Sequence, residues 1–265
     1  MLIAQITDLH IMKPGKLAYN RVDTLPMLEQ AVAYLRRFDP QPDIVILTGD
    51  LVDEGSDEEY ARLQTALAPL TQPLYVIPGN HDARATLLKA FGGDGYLPAD
   101  GGFLHYAVDR HPVRLVGLDT ITPGQVGGAM DAGRCAWLDR TLAQAPDTPT
   151  LVMMHHPPFT LGIAHLDRFA MQGSAEFGQV IRRHPQVQRI VCGHAHQTMA
   201  VQWCGTTVSV CPSTAHQFTA DLRPGVPPEF SLEPPGFQLH HWLPETGLIT
   251  HTIAIGEYPR FRTRG

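Results

Sequence analysis

Five times along this chain, an apolar run of strand length ends in a cluster of residue types that can ligate a metal. Run 2–7 leads into Asp8-Leu9-His10, and run 43–48 into Gly49-Asp50-Leu51-Val52-Asp53. Run 74–77 leads into Gly79-Asn80-His81-Asp82, run 150–154 into His155-His156-Pro157-Pro158, and run 189–192 into Gly193-His194-Ala195-His196. Helical patterns lie between them. Residues 22–38 carry Leu25, Leu28, Val32 and Leu35 on one face, with Asp23 or Thr24 as N-cap. Ser56 and Glu59 form a capping box that opens a helix to about 67, and further helices are read near 131–144 and 174–183. Such alternation builds sheets flanked by helices with much parallel pairing. Loops past the carboxyl ends of parallel strands converge on one edge, so clusters far apart in sequence can meet there.

Two further runs complete the pattern: a strand at 113–118, and a hairpin of 201–203 and 207–210 around Gly205. Segment 217–247 is different. Pro224, Pro227, Pro228, Pro234, Pro235 and Pro244 exclude long regular elements from it, and alternating runs follow at 237–243 and 248–255. It reads as a proline-rich cap or dimerisation arm (217–247) after a core of 1–216, with a final strand and tail at 248–265.

At 265 residues and 43% hydrophobic, the chain can bury a full core as one large α/β domain, or as one domain with a small appended lobe. The net charge of -6 argues against a nucleic-acid polymer or an anionic membrane as partner, but not against a small phosphate ester. The first strand begins at Leu2, which leaves no room for a cleavable leader, and no apolar run approaches the roughly 20 residues that span a bilayer. A cytoplasmic protein is expected. Cys135, Cys192, Cys204 and Cys211 show no CxxC spacing, so free thiols are the plain reading; Cys204 and Cys211 are the one pair that a hairpin could bring face to face.

Each cluster has a bland reading. Asp8 could be a helix cap, Gly49-Asp50 a turn, Gly79-Asn80 a tight turn using positive φ, and His155-His156 a kinked loop with a satisfied core histidine. Gly193-His194-Ala195-His196 is stronger, because alternate imidazoles on extended backbone point the same way. The conjunction outweighs the parts: all five clusters sit at strand ends, and all are rich in one ligand class. His, Asp and an Asn amide oxygen suit several divalent transition metals. Asp50, with two carboxylate oxygens, is the natural bridge between ions at the roughly 3.5–4 Å separation of two-metal hydrolases. A water held by such ions ionises near neutral pH, which supplies a nucleophile without Ser or Cys.

In order, D-x-H, GD-x-x-D, GNHD, HHPP and GHAH resemble the signature of the calcineurin-like metallophosphoesterases. The nearest branch is that of the bacterial class III cyclic nucleotide phosphodiesterases and related glycerophosphodiesterases. The resemblance spans Leu2 to about Gln217 and implies a four-layer αββα sandwich. It assigns Asp8, His10 and His196 to one metal, Asn80, His155 and His194 to the other, and Asp50 to both. It makes Asn80 and His81 phosphate-contacting residues, with His81 helping to protonate the leaving group, and it places His216 and Tyr19 on the substrate side. It also implies that the segment after Gln217 forms a cap and a dimer contact, hence a homodimer or an assembly of dimers.

The expected reaction is hydrolysis of a small phosphodiester, either a cyclic nucleotide or a glycerophosphodiester. It would proceed by in-line attack of a metal-activated water, with two ions drawn from Fe, Mn, Zn and Co. A phosphomonoesterase or protein phosphatase on the same core is the alternative; a nuclease and a metal-free scaffold fit less well. Arg and Lys are sparse near the motifs, so the metals, Asn80 and the histidines would have to meet the phosphate charge. His156, Asp53 and Asp82 read as residues that orient ligands or shape turns. His105, His111, His165, His184, His240, His241 and His251 match no motif and read as surface or structural.

Overall fold

The computed structural model describes residues 1–259 and 261–263; residues 260, 264 and 265 of the expected tail lie outside them. Three strands, β1 (Leu2–Ile6), β2 (Ile44–Thr48) and β3 (Leu74–Ile77), pair in parallel. They alternate with α1 (Thr24–Arg37), α2 (Asp57–Leu67) and α3 (Arg84–Phe91). The capping box at Ser56 forms with both of its hydrogen bonds. Asp23 is the N-cap of α1 but makes no side-chain cap bond; the neighbouring Thr24 hydroxyl instead donates to the His10 carbonyl at 2.7 Å, tying the helix start to the first cluster.

The second half repeats the alternation with β4 (Tyr106–Val108), β5 (Arg114–Gly117), α4 (Ala132–Ala143), β6 (Thr150–Met153), α5 (Ala164–Asp167), α6 (Ser174–Arg183), β7 (Val187–Cys192), β8 (Met199–Trp203) and β9 (Thr206–Val210). Strands β5, β6, β7 and β9 are parallel, with β4 and β8 as antiparallel edges. α3 and β4 left no sequence signal. The helix buries only Leu87 and Phe91, and the strand is three residues long, too short for a period to register.

Segment 217–247 divides. Its first part pairs β10 (Gln217–Phe218) with β11 (Phe230–Ser231) in a small separate sheet. Its second part does not stay in a lobe. β12 (Gly236–Leu243) pairs antiparallel with β1, and β13 (Gly247–Ala254) forms the edge beyond it, so the first sheet runs β13-β12-β1-β2-β3. The reason is burial on both faces: Phe237 and Leu239 pack into the core, while Gln238 and His240 are buried on the other side.

Strand periodicity explains the layering. In β6, Leu151 and Met153 pack toward the first sheet, while Val152 between them packs toward α4 and α6. α1, α2 and α3 cover the outer face of the first sheet through residues such as Leu28, Leu63 and Leu87. Helix, sheet, sheet, helix is the four-layer order expected. Both parallel sets present their carboxyl ends on the same side, where the clusters lie. All four cysteines are free thiols. Among the described residues, no helix is long and apolar enough to cross a membrane.

Candidate metal centre

The five clusters meet. Asp8, His10 and His196 offer ligand atoms within 4.8 Å of one another, as do Asp8, Asp50 and His155, and as do His155, His156 and His194. The backbone is bent to achieve this. Among the described residues, eight non-glycine residues adopt positive φ, and six of them are Asp8, His10, Tyr19, Asp50, His194 and His196. Each such conformation costs about 1–3 kcal/mol and persists only where surrounding contacts impose it. His194 and His196 are therefore not the extended pair expected. The left-handed turns at both residues separate the rings: His194 lies against His155 and His156, and His196 lies against His10.

Glycines let the loops touch. A Cβ on Gly79 would sit 2.3 Å from the Asp50 backbone nitrogen, and one on Gly193 would sit 2.1 Å from Thr7 Oγ1. Neither residue has positive φ, so close approach, not a turn, dictates glycine at these two positions.

The tautomers decide what the cluster can hold. His155 Nδ1–H donates to the Thr48 carbonyl at 2.8 Å, His196 Nδ1–H to the His216 carbonyl at 2.9 Å, and His10 Nδ1–H to Asp53 Oδ1 at 3.3 Å. With Nδ1 so committed, Nε2 is the atom each ring turns inward, toward groups that are themselves acceptors. His10 Nε2 and His196 Nε2 are 3.1 Å apart. His155 Nε2 lies 3.2 Å from Asn80 Oδ1 and 3.3 Å from Asp50 Oδ2, and His196 Nε2 lies 3.3 Å from Asp8 Oδ1. Lone pairs facing lone pairs repel unless a cation sits among them. A proton can serve one such contact; coordinated metal ions would serve all of them. Outer N–H groups fixed on carbonyls or a carboxylate are also how metal-binding imidazoles are oriented. The donor set fits divalent transition metals.

The charges respond accordingly. Burial works against the His155 imidazolium, but the adjacent Asp50 carboxylate outweighs it and pushes the group up to about 9. Burial likewise works to raise Asp50, yet His155 and its neighbours hold that carboxyl well below the usual range. Burial, with His155 adding to it, pushes His194 down to about 3.

Other supports follow. Asp82 accepts from Gly79 N at 2.8 Å, Leu51 N at 3.2 Å and the Tyr60 hydroxyl at 2.7 Å, bracing the turn of Asp50 against that of Asn80. Burial, with Asp50 nearby, pushes its carboxyl up to about 6 against those three donors. His156 uses both ring nitrogens, toward Thr120 Oγ1 at 2.7 Å and the Val126 carbonyl at 3.0 Å. His81 Nδ1–H donates to the Asp53 carbonyl at 2.7 Å, and the residue lines the cavity above the cluster.

That cavity has a volume of about 470 Å³. His10, Asp50, Asn80, His81, His194 and His196 form its floor, and Tyr19 lies on its wall. His216 does not reach its surface. The ring is fully buried behind Tyr19 and Phe230, with both nitrogens unpartnered, and burial pushes it down to about 2. What His216 gives the site directly is its backbone carbonyl, which fixes the His196 tautomer. Among the cavity residues that escaped the sequence reading are His165, taken as bland, and Arg168, a cation where none was expected. Both come from α5 and the residue after it, where no spacing marks them out. Tyr60 escaped as well, since a helix tyrosine carries no motif.

Two facing sheets with acceptors converging at their carboxyl ends define a metallophosphoesterase-type hydrolase fold. Residues 1–198 match the family model for calcineurin-like phosphoesterases, and the chain belongs to that family. It is similar to a probable glycerophosphodiester phosphodiesterase of Arcobacter nitrofigilis, at 36% identity over all of this chain and 98% of that one. It is also similar to the 3',5'-cyclic adenosine monophosphate phosphodiesterase of Escherichia coli K12, at 30% identity over 82% of this chain and 77% of that one. Among solved structures, a dimetal phosphatase from Danio rerio shares the fold with a TM-score of 0.70 at 17% identity, over 97% and 99% of the two chains.

Proposed function

We propose that this chain is a metal-dependent hydrolase of small phosphodiesters. The observation that carries the reading is the cavity floor, where inward-turned imidazole nitrogens, carboxylates and an amide oxygen face one another at contact distance. Asp8, His10 and His196 would hold one divalent ion and Asn80, His155 and His194 a second, with Asp50 between them; Fe, Mn, Zn and Co all suit this set. When bound, such ions supply Lewis acidity toward phosphoryl oxygens and lower the pKa of water.

The chain's own residues do the rest. Asn80 turns its amide oxygen to the His155 and His194 rings, which leaves its NH₂ for a phosphoryl oxygen. His81 spends Nδ1–H on the Asp53 carbonyl, so Nε2 is the atom that can carry a proton to the departing alkoxide. Burial works against its charged form, but Asp50 and Asp53 raise its pKa; bound cations would draw that back toward neutrality. Relatives named for glycerophosphodiester and cyclic nucleotide hydrolysis support a diester over a monoester. Free, largely buried thiols support a reducing cytoplasmic setting. Leu222 and Leu232, 71% and 66% exposed on the arm, support a homodimer contact.

The test is to chelate the protein, reload it with each metal, and assay linear diesters, cyclic nucleotides and monoesters. Diester turnover should vanish on chelation and return with metal bound at up to two ions per chain. Metal-free diester turnover, or a preference for monoesters, would refute the reading; the latter would point to a monoesterase or protein phosphatase.

A further inference from the structure

The cavity has two unlike halves. Its floor is the polar cluster; much of its wall is hydrocarbon, and aromatic rings dominate one side. Phe218 and Phe230 are direct partners in the small β10–β11 sheet, so their side chains share a face. Tyr19 stacks on Phe230 with ring centroids 4.8 Å apart and planes 26° from parallel. All three line the cavity, joined by Leu166 and Phe169 from the opposite chain segment. Phe230 also packs on the buried His216 ring at 5.5 Å, which fixes it from behind. A phosphodiester whose phosphorus sits over the floor must lay one of its ester groups against this wall.

The wall chemistry discriminates between ester groups. A glycerol moiety laid on this wall would bring hydroxyls against the faces of Phe218 and Phe230, which cannot replace their water hydrogen bonds, and only His165, Arg168 and Glu229 beside them could receive them. A flat aromatic group would stack on them and lose nothing polar from its faces. Its polar edge would find donors in His165 and Arg168, which line the same cavity. A cavity of about 470 Å³ also exceeds what a short aliphatic diester fills and lies within the size range of sites for larger ligands.

Building on the phosphodiesterase reading, we infer that Phe230, with Phe218 and Tyr19, is the specificity-determining wall and seats a planar aromatic ester group, so that nucleoside or aryl diesters are preferred over glycerol diesters. The ring that sets this preference comes from the proline-rich arm, which makes the arm a substrate-selecting element.

The test uses the full-length, metal-loaded chain and its Phe230→Ala and Phe230→Trp variants. The first readout is the ratio of kcat/KM for adenosine 3',5'-cyclic phosphate to that for glycerophosphoethanolamine. We expect a ratio above one in the wild type, a fall of roughly tenfold or more in Phe230→Ala carried mainly by KM, and recovery in Phe230→Trp. The second readout is calorimetric binding of adenosine 5'-monophosphate against glycerol 3-phosphate, which reports stacking without turnover. A wild type that hydrolyses diesters but favours the glycerol ester, or a ratio and a binding preference unmoved by Phe230→Ala, overturns this inference and leaves the proposed function standing. Absence of diester turnover with every metal would overturn the proposed function, and the binding preference would still decide the role of the wall.

Discussion

Tyr60→Phe isolates one bond. The Tyr60 ring is almost completely buried in α2, and its hydroxyl donates to Asp82 Oδ1 at 2.7 Å. The other two donors to Asp82, Gly79 N and Leu51 N, both go to Oδ2, so the variant leaves Oδ1 bare in a residue only 7% exposed. Phenylalanine keeps the ring and its edge contact with Phe91, so no cavity forms. The loss is therefore that of one hydrogen bond to a buried carboxylate, about 1.5–3 kcal/mol, with about 2 as the central expectation. Urea melts at fixed metal concentration should show this as a lower midpoint at unchanged slope. In a chain of this size, about 2 kcal/mol corresponds to roughly 4–8 °C in Tm. Because Asp82 braces the turn of Asp50 against that of Asn80, apparent metal affinity should also fall by about tenfold. The Asp82 carboxyl sits at about 6, so the deficit should be larger at pH 8, where the group is ionised, than at pH 5, where the bond becomes neutral. A stability change below about 0.5 kcal/mol at pH 8 would show that Tyr60 does not brace the site.

Asp50→Ala should lose metal and turnover together, as expected of a ligand shared between two ions. His81→Ala should keep its metal and lose turnover by roughly 10²–10⁴, less for acidic phenol leaving groups that need no proton; parallel metal loss in both variants would contradict these roles. Burial pushes His105, stacked between Phe103 and Trp137, down to about 4 from an ordinary 6.5. A depressed histidine favours the neutral folded form, so its contribution is complete above pH 6.5 and is lost as pH falls toward 4, on the order of 3 kcal/mol in all. His105→Asn should flatten that limb of the stability–pH curve; an unchanged slope in equilibrium melts would refute the assignment. Light scattering of the wild type should report a dimer at micromolar concentration, and replacing Leu222 and Leu232 with Glu should give a monomer; a wild-type monomer would count against the arm contact.

Local pattern made most of the scaffold legible. Runs such as 74–77 and the capping box at Ser56 are governed by side-chain period and by hydrogen bonds within a few residues, so they formed as read. The ligand types at strand ends were legible for the same reason: a parallel sheet delivers its carboxyl ends to one edge whatever the helices between them do. What local pattern could not carry is backbone direction at single residues and contact between distant ones. The left-handed turns at His194 and His196, which send the two motif histidines to different neighbours, accompany the close approach of Gly193 to Thr7 and Asp8 and are encoded by no spacing. Strand β12 looked like part of the arm because its alternation fits any half-buried hairpin; only the unpaired edge of β1 decided where it docks. His216 is the histidine that a motif reading would send toward substrate, yet the rings of Tyr19 and Phe230 cover it, and its backbone carbonyl is what reaches His196. Arg168, Phe230 and Tyr60 became part of the site by proximity alone, because a cavity wall is assembled from elements whose mutual distance no one-dimensional period encodes.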